Sequence, residues 1–491
     1  MKILAAFMLL FVTVTKCHEP FQVIFQWSSI DVVWPSEEEQ QFAIDHGDYV
    51  AANNFIAGIK FWKDKMYLTL PRWKDGVPVT LAVTSTTPVN KATAPNLKAF
   101  PSWEMQKIGD CSAFQFVQSM EVDPKGRMWV LDSGKMSPLS VEVKTICPPR
   151  LVILDLENEG KVLRIYEFPS QVARHGTAHL NDIVLDHEDG GMAYITDSDR
   201  DDPGIIVYSL SNNTSWKVRH DSMRAKPEAV RFMVAKTPIN MPISVDGIAL
   251  SPASSTDRQV YYSPLSSFHL YSIPTSVLKS NTSNVDEHVK ELGRKISQTD
   301  GMMMSAKGVL YFGLLADDAV AMWDTKQTAS FATGQRVISR DHERMQWPDT
   351  FAYDADGNFY CVTNSLQNIL TNRVNTSIPN YRVVRARTGV KSYQYLEDGT
   401  APKQPEIPTS LANRISLAVT VGLIILLAFV VQAELSAATP SRSHIIDLEL
   451  TSPMETIKSA SEIKTLPVRL HDFKGKLEEV KHVTLLRCRV Q

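Results

Sequence analysis

Residues 118–131 read QSMEVDPKGRMWVL, and this stretch decides the fold. Two apolar, β-prone runs flank DPKG at 123–126, whose glycine supplies the positive φ of a tight hairpin turn. Five further copies of the unit occur. They are GIKFWKDKMYLTL at 58–70, NDIVLD with MAYI at 181–186 and 192–195, DGIALSP with VYY at 246–252 and 260–262, DGMMMSAKGVLYF at 300–312, and DTFAYDADGNFYC at 349–361. Two more strand-like runs follow most copies, such as LVIL at 151–154 and VLRIY at 162–166. Four strands per repeat, spaced ~50–70 residues apart, is the pattern of a β-propeller blade. Paired β-sandwiches also have many short strands, but they do not repeat one hairpin signature in this way.

The last copy has no fourth strand after YRVVR at 381–385, and FQVIFQW at 21–27 has no hairpin partner. Pairing the two closes the ring and leaves no free sheet edge between the ends. The expectation is an all-β, six-bladed propeller over residues 18–398, closed by an N-terminal strand. One short helix is expected at 37–46 with Ser36 as its cap.

Beyond this core the character of the chain changes at both ends. Lys2 and the apolar run 3–14, followed by small residues to Cys17, read as a signal peptide over 1–17. Residues 399–414 begin Pro-rich and read as a linker. Residues 415–433 carry no charge and at 1.5 Å per residue reach ~28 Å, the thickness of a bilayer core. They read as a transmembrane helix that would anchor the propeller outside the cell, with a disordered tail at 434–491. Alternatively the segment has no selected role. Asn212 or Asn213, Asn281 and Asn375 are acceptors for N-glycans. Cys111 and Cys147 flank one repeat and are disulfide candidates in an oxidising compartment.

The formal net charge of −3 argues against nucleic acid as a partner. No serine-nucleophile elbow, HExxH, P-loop or dinucleotide fingerprint is present. The candidate site comes from aligning the repeats. Gly58, Gln118, Asn181, Asp246, Asp300 and Asp349 fall at equivalent starts of the strands that line a propeller channel, and Asp182 follows Asn181. Carboxylates about 7 Å apart at an effective dielectric of ~20 repel by roughly 2 kcal/mol per pair. Such a ring calls for a cation or a retained proton. The cation can be calcium, held by carboxylate and amide oxygens, or the ammonium of a catecholamine stacked on Tyr311 or Phe351. It can also be structural, with each Asp capping its own turn. No other cofactor is indicated. His179, next to this mouth, is either a solvated loop residue or a proton shuttle working with Asp182.

WKDKMYLTLPRWKDGVP at 62–78, GDCS at 109–112, QSMEVDPKGRMWVLDSG at 118–134, CPPRL at 147–151 and PDTF at 348–351 closely resemble the Yellow/major royal jelly protein family of insects. The resemblance spans residues 20–395. It implies a secreted six-bladed propeller and a Cys111–Cys147 disulfide. It also implies a cysteine where Met322 stands, so that Cys361 lacks a partner here. Functions within the family include pigmentation and cuticle sclerotisation, dopachrome conversion, biogenic-amine binding and nutritive storage. The expected role is therefore binding or converting catechol- or indole-amine-derived compounds in melanin and cuticle chemistry, with dopachrome isomerisation as the enzymatic form. The alternative is a non-catalytic structural or ligand-binding protein of cuticle, egg covering or secretion.

Overall fold

The computed structural model describes residues 21–408 apart from 140–142, 281–284 and 329, together with two short paired strands, Leu470–His471 and Leu477–Glu478. Six four-stranded antiparallel sheets are arranged as propeller blades. Their innermost strands are Ile59–Trp62, Val117–Val122, Leu180–Asp186, Val245–Leu250, Met302–Met304 and Pro348–Tyr353, and each touches the next in cyclic order, the last touching the first. Blade 6 is completed by Gln22–Trp27, which pairs antiparallel with Tyr381–Arg387 from Gln22 opposite Arg385 to Trp27 opposite Tyr381. The N-terminal strand thus closes the ring.

The hairpin turns form for the reasons their sequences suggest. In blade 2 Asp123 Oδ1 accepts from the Lys125 and Arg127 amides, and Gly126 takes φ +76°. In blade 6 Asp354 does the same for Asp356 and Asn358. The inner two or three strands of each blade are apolar on both faces because blades pack against blades. The fourth strands are the solvent edge, as in Lys161–Glu167, where most positions are exposed. The helix Glu37–His46 forms with Ser36 Oγ accepting from the Glu39 amide, and Gly47 ends it in the left-handed region.

Two features lie outside the repeat pattern. Short hairpins at Lys135–Met136 with Lys144–Thr145, and at Arg231–Val234 with Thr237–Asn240, are inserted between strands and between blades. After the last blade, the chain runs as a strap across one end of the channel. The Ala306 amide donates to Lys391 O, Tyr393 N to Met304 O, and Ala253 N to Tyr393 O. Further along, Gln394 Nε2 donates to Val122 O, and Arg127 Nη1 donates to Pro405 O. Ile407 packs with the core between blades 2 and 3. The linker expected from residue 399 is therefore corrected: up to Ile407 this segment is part of the propeller's packed end. Its prolines remove donors but leave carbonyls, and it binds through those and its side chains.

Cys111 and Cys147 form a disulfide. Cys361 is free and buried in the second strand of blade 6. Asn212, Asn213 and Asn375 are exposed. The expected leader 1–17, Asn281 and the apolar segment 415–433 lie outside the described residues. Among the described residues no helix is long and apolar enough to cross a membrane.

Candidate functional site

The inner strands of blades 2, 3, 4 and 6 share one irregularity. Pairing with the second strand shifts between Val117 and Met120, Leu180 and Ile183, Val245 and Ile248, and Pro348 and Phe351. These are β-bulges, which bend a strand and re-aim its side chains. The bulged pairs are Gln118 with Ser119, Asn181 with Asp182, Asp246 with Gly247, and Asp349 with Thr350. The repeated start position of the alignment is thus a repeated bulge.

The spare backbone groups at these bulges are tied across blades. Thr69 Oγ1 accepts from Gly58 N at 2.6 Å and donates to Gln118 O at 2.8 Å. Thr196 Oγ1 likewise accepts from Asp182 N at 2.9 Å and donates to Asp246 O at 2.7 Å. Close contact between inner strands also requires glycine. A Cβ on Gly247 would lie 2.1 Å from Asp300 O, and one on Gly301 would lie 2.0 Å from Asp349 O.

Each ring side chain has a particular partner. Trp73 Nε1 donates to Gln118 Oε1 at 2.9 Å, and Trp347 Nε1 donates to Asp300 Oδ2 at 2.6 Å. Asn364 Nδ2 donates to Asp349 Oδ2 at 2.5 Å, and Ser119 Oγ donates to Asp182 Oδ1 at 2.8 Å. Asn181 Nδ2 reaches Ser198 Oγ at 3.3 Å. Asp246 Oδ1 is buried, and among the described residues no N–H or hydroxyl reaches it. Burial and the neighbouring carboxylates favour the protonated form of Asp246, and a proton there would offer that pair a hydrogen bond.

Burial dominates the electrostatics. It raises Asp246 well above the usual carboxylate range, reinforced by the charges of Asp300, Asp182 and Asp349. Asp349 is raised well above it by burial and by Asp300. Asp300 is pushed up to about 7 by burial, against the pull of the Trp347 N–H. Asp182 rises to about 6 through burial, offset by Ser119 and by Lys60. Asp182 is half-buried and lines the channel cavity. The ring therefore holds carboxyls that are all raised above the ordinary range, Asp182 to about 6 and Asp300 to about 7. Among the described residues no three His, Cys, Asp or Glu side chains are arranged to hold a metal ion.

His179 is not a solvated loop residue. Its ring is walled edge-on by Trp73 at 5.6 Å and Phe116 at 5.7 Å. Burial, with Lys135 nearby, lowers its basicity well below the ordinary value and keeps it neutral. Lys135 is itself lowered to about 8 by burial. Phe351 lines a narrow cavity in mid-channel, of about 10 Å³, together with Asp182, Thr350 and Tyr393. The ring does not include Tyr311. That residue sits on the second strand of blade 5 and packs on Phe359 at 4.4 Å, because only innermost strands face the channel.

The sequence reading missed the tryptophans and Asn364 that hold the ring. It also missed a second tier below it, where Lys60 Nζ and Glu121 Oε2 form a buried ion pair at 3.1 Å. Lys60 stands two residues after the aligned Gly58 and Glu121 three after Gln118, and the two fall level only because blade 2 carries an extra bulge residue that the sequence alignment did not show. Tyr393, from the strap, places its hydroxyl 3.5 Å from Glu121 and accepts from Leu185 N at 2.8 Å, closing the channel beneath them.

Among known proteins, the chain is 27% identical over 386 residues to dopaminechrome tautomerase of Drosophila melanogaster, covering 76% of this chain and 82% of that protein. It is 27% identical to Protein yellow of the same species over 74% of this chain and 68% of the relative. Major royal jelly protein 3 of Apis mellifera is 28% identical over 74% of this chain and 68% of its own length. The major royal jelly protein family model matches residues 115–392, more than half of the sequence. With the propeller, the disulfide and these matches together, the chain belongs to the Yellow/major royal jelly protein family.

Proposed function

We propose that the acidic mouth binds a cyclised catecholamine quinone of the dopaminechrome type and moves two protons from its ring carbons to its quinone oxygens, giving a dihydroxyindole on the route to melanin pigment. One observation carries the reading. Buried carboxyls of different acidity, Asp182 at about 6 and Asp300 at about 7, with Asp246 raised well above the usual carboxylate range, stand at one channel mouth of a chain related to a dopaminechrome tautomerase. Paired titratable groups pushed apart by their surroundings are the arrangement that acid–base catalysis needs near pH 7.

The chemistry balances without a cofactor. Asp182 takes a proton from one carbon of the five-membered ring while Asp246 or its partner Asp300 gives one to a quinone oxygen, and after proton exchange with solvent a second such transfer, from the other ring carbon to the other quinone oxygen, completes the dihydroxyindole with no change of oxidation state. The ring nitrogen of such a substrate carries partial positive charge, which suits the carboxylates. Neutral His179, with Trp73 and Phe116, offers an apolar wall and one ring hydrogen bond.

The test is decay of dopaminechrome absorbance with the purified full-length chain. Acceleration over buffer is expected, with Asp182→Asn and Asp246→Asn each losing about 10²-fold or more in kcat. Decay no faster than in buffer would remove the tautomerase reading. Calorimetry with dopamine then tests binding alone, the non-catalytic alternative.

We also infer that the protein acts outside the cell. The Cys111–Cys147 disulfide suits an oxidising compartment, and the Asn212, Asn213 and Asn375 acceptors are exposed. Tethering through 415–433 is tested by carbonate extraction of membranes, where release of the full-length chain would exclude a span.

A further inference from the structure

A second pocket opens at the end of the channel opposite the acidic mouth. Gln118 and Asp349 stand at the beginnings of two inner strands, while Glu121, Val122, Tyr353 and the turn residue Asp354 follow at the other end of the same strands. The latter residues line a cavity of about 270 Å³. Its walls are largely aromatic: Phe61 and Trp62 from blade 1, Tyr353 from blade 6 and Tyr395 from the strap. Met303 separates it from the narrow mid-channel cavity, and the Lys60–Glu121 pair is common to both. The strap completes this pocket, with Ser392, Gln394 and Tyr395 among its walls.

The walls are also held in place. Trp62 Nε1 donates to Glu157 at 2.9 Å, and the edge of its indole lies where any Cβ on Gly126 would stand. Lys391 Nζ sits 4.6 Å over the Tyr395 ring. A preformed aromatic pocket binds flat ligands with little ordering cost.

The charges decide the class of ligand. Every ionic side chain around the pocket is already engaged. Lys60 is paired with Glu121, and Lys63 with Glu157 at 2.5 Å. Asp123 is paired with Arg127 at 2.6 Å, while Asp354 accepts from Asn358 at 2.7 Å and Tyr360 at 3.0 Å. An anionic guest would have to break the Lys60 or Lys63 pair to gain a counter-charge, and a cationic one would have to break an ion pair or compete with the neutral donors that hold Asp354. An uncharged guest with a hydroxyl can hydrogen-bond to the Lys60–Glu121 floor and leave them intact.

We propose that this pocket is a second binding site, for uncharged hydroxylated aromatics of one or two rings, such as phenols, catechols and hydroxyindoles. It differs in ligand class from the acidic mouth, which favours cationic or partly positive groups. The neutral products of catecholamine chemistry fall within the class, but the site does not depend on catalysis at the mouth.

The test uses 5-hydroxyindole as an uncharged probe on the full-length chain, read by saturation-transfer NMR and calorimetry. Ala355→Trp fills the rim from an exposed turn position, and Tyr395→Ala removes a wall. Asp300→Asn alters the mouth alone. The expected result is probe binding weakened at least ten-fold by Ala355→Trp and by Tyr395→Ala, in chains whose melting shows them folded, and unchanged by Asp300→Asn. Absence of binding to the wild-type chain, binding indifferent to both pocket variants, or binding lost with Asp300→Asn would each overturn the proposal. Dopaminechrome turnover, retained in Ala355→Trp, separates its failure from failure of the tautomerase reading.

Discussion

Trp347 donates its indole N–H to Asp300 at 2.6 Å from a backbone held at φ +54°. A bulky residue in the left-handed region is strained, and it persists only where surroundings over-determine it. Here the indole is fully buried against Phe232 and fixed by Asp300. Trp347→Phe keeps most of the volume and removes the donor. Asp300 should then rise further above about 7. The upper limb of the pH–rate profile should move to higher pH, with stability lower by roughly 1–3 kcal/mol. Proton titration by NMR and thermal melts would read the two effects.

The buried ring also makes stability depend on pH. Asp182 and Asp300 hold their protons up to about 6 and about 7 in the folded state. The unfolded chain releases them near pH ~4. Folded protein therefore binds more protons between these values, and stability falls as pH rises through that window and levels off above it. Asp300→Asn keeps an acceptor for Trp347 and has nothing to deprotonate. It should be more stable than wild type at pH 8, by on the order of 4 kcal/mol at most, and nearly equal to it at pH 4. Equal melting differences at both pH values would contradict this.

Gly301 is required by a backbone and not by a turn. Its would-be Cβ meets the Asp349 carbonyl oxygen at 2.0 Å, where no flexible side chain can give way. Gly301→Ala should push blades 5 and 6 apart at the channel and cost at least about 3 kcal/mol, beyond the usual overpacking range. Gly109→Ala, at an open position with φ +85°, carries only backbone strain and serves as the control. Denaturant melts of the two variants would separate the causes.

Tyr393 joins the strap to the channel. Tyr393→Phe loses the acceptor for Leu185 N and the contact with Glu121, for about 1–2 kcal/mol. Tyr393→Ala empties a fully buried site and should cost about 3–5 kcal/mol. If urea melts show neither loss, the strap does not fasten the channel end in solution.

The sequence by itself determined the repeated architecture. Each hairpin is written within roughly 13–17 residues, by two apolar runs about a polar turn that in most copies contains Gly. Ring closure followed from one unpaired run at each end, and aligning the repeats placed Gln118, Asn181, Asp246, Asp300 and Asp349 at one mouth. These are local or periodic signals, which a linear reading captures. Only the tertiary structure decided the rest. Trp347 reaches Asp300 across 47 residues of chain, Lys60 reaches Glu121 across 61, and Tyr393 reaches Glu121 across 272. No local pattern encodes such separations. Tyr311 showed the same limit, since a favourable residue near a hairpin turned its ring between blades and away from the channel. The charge states of the ring were likewise beyond the sequence, because they are set by desolvation, a property of what surrounds a carboxyl in space.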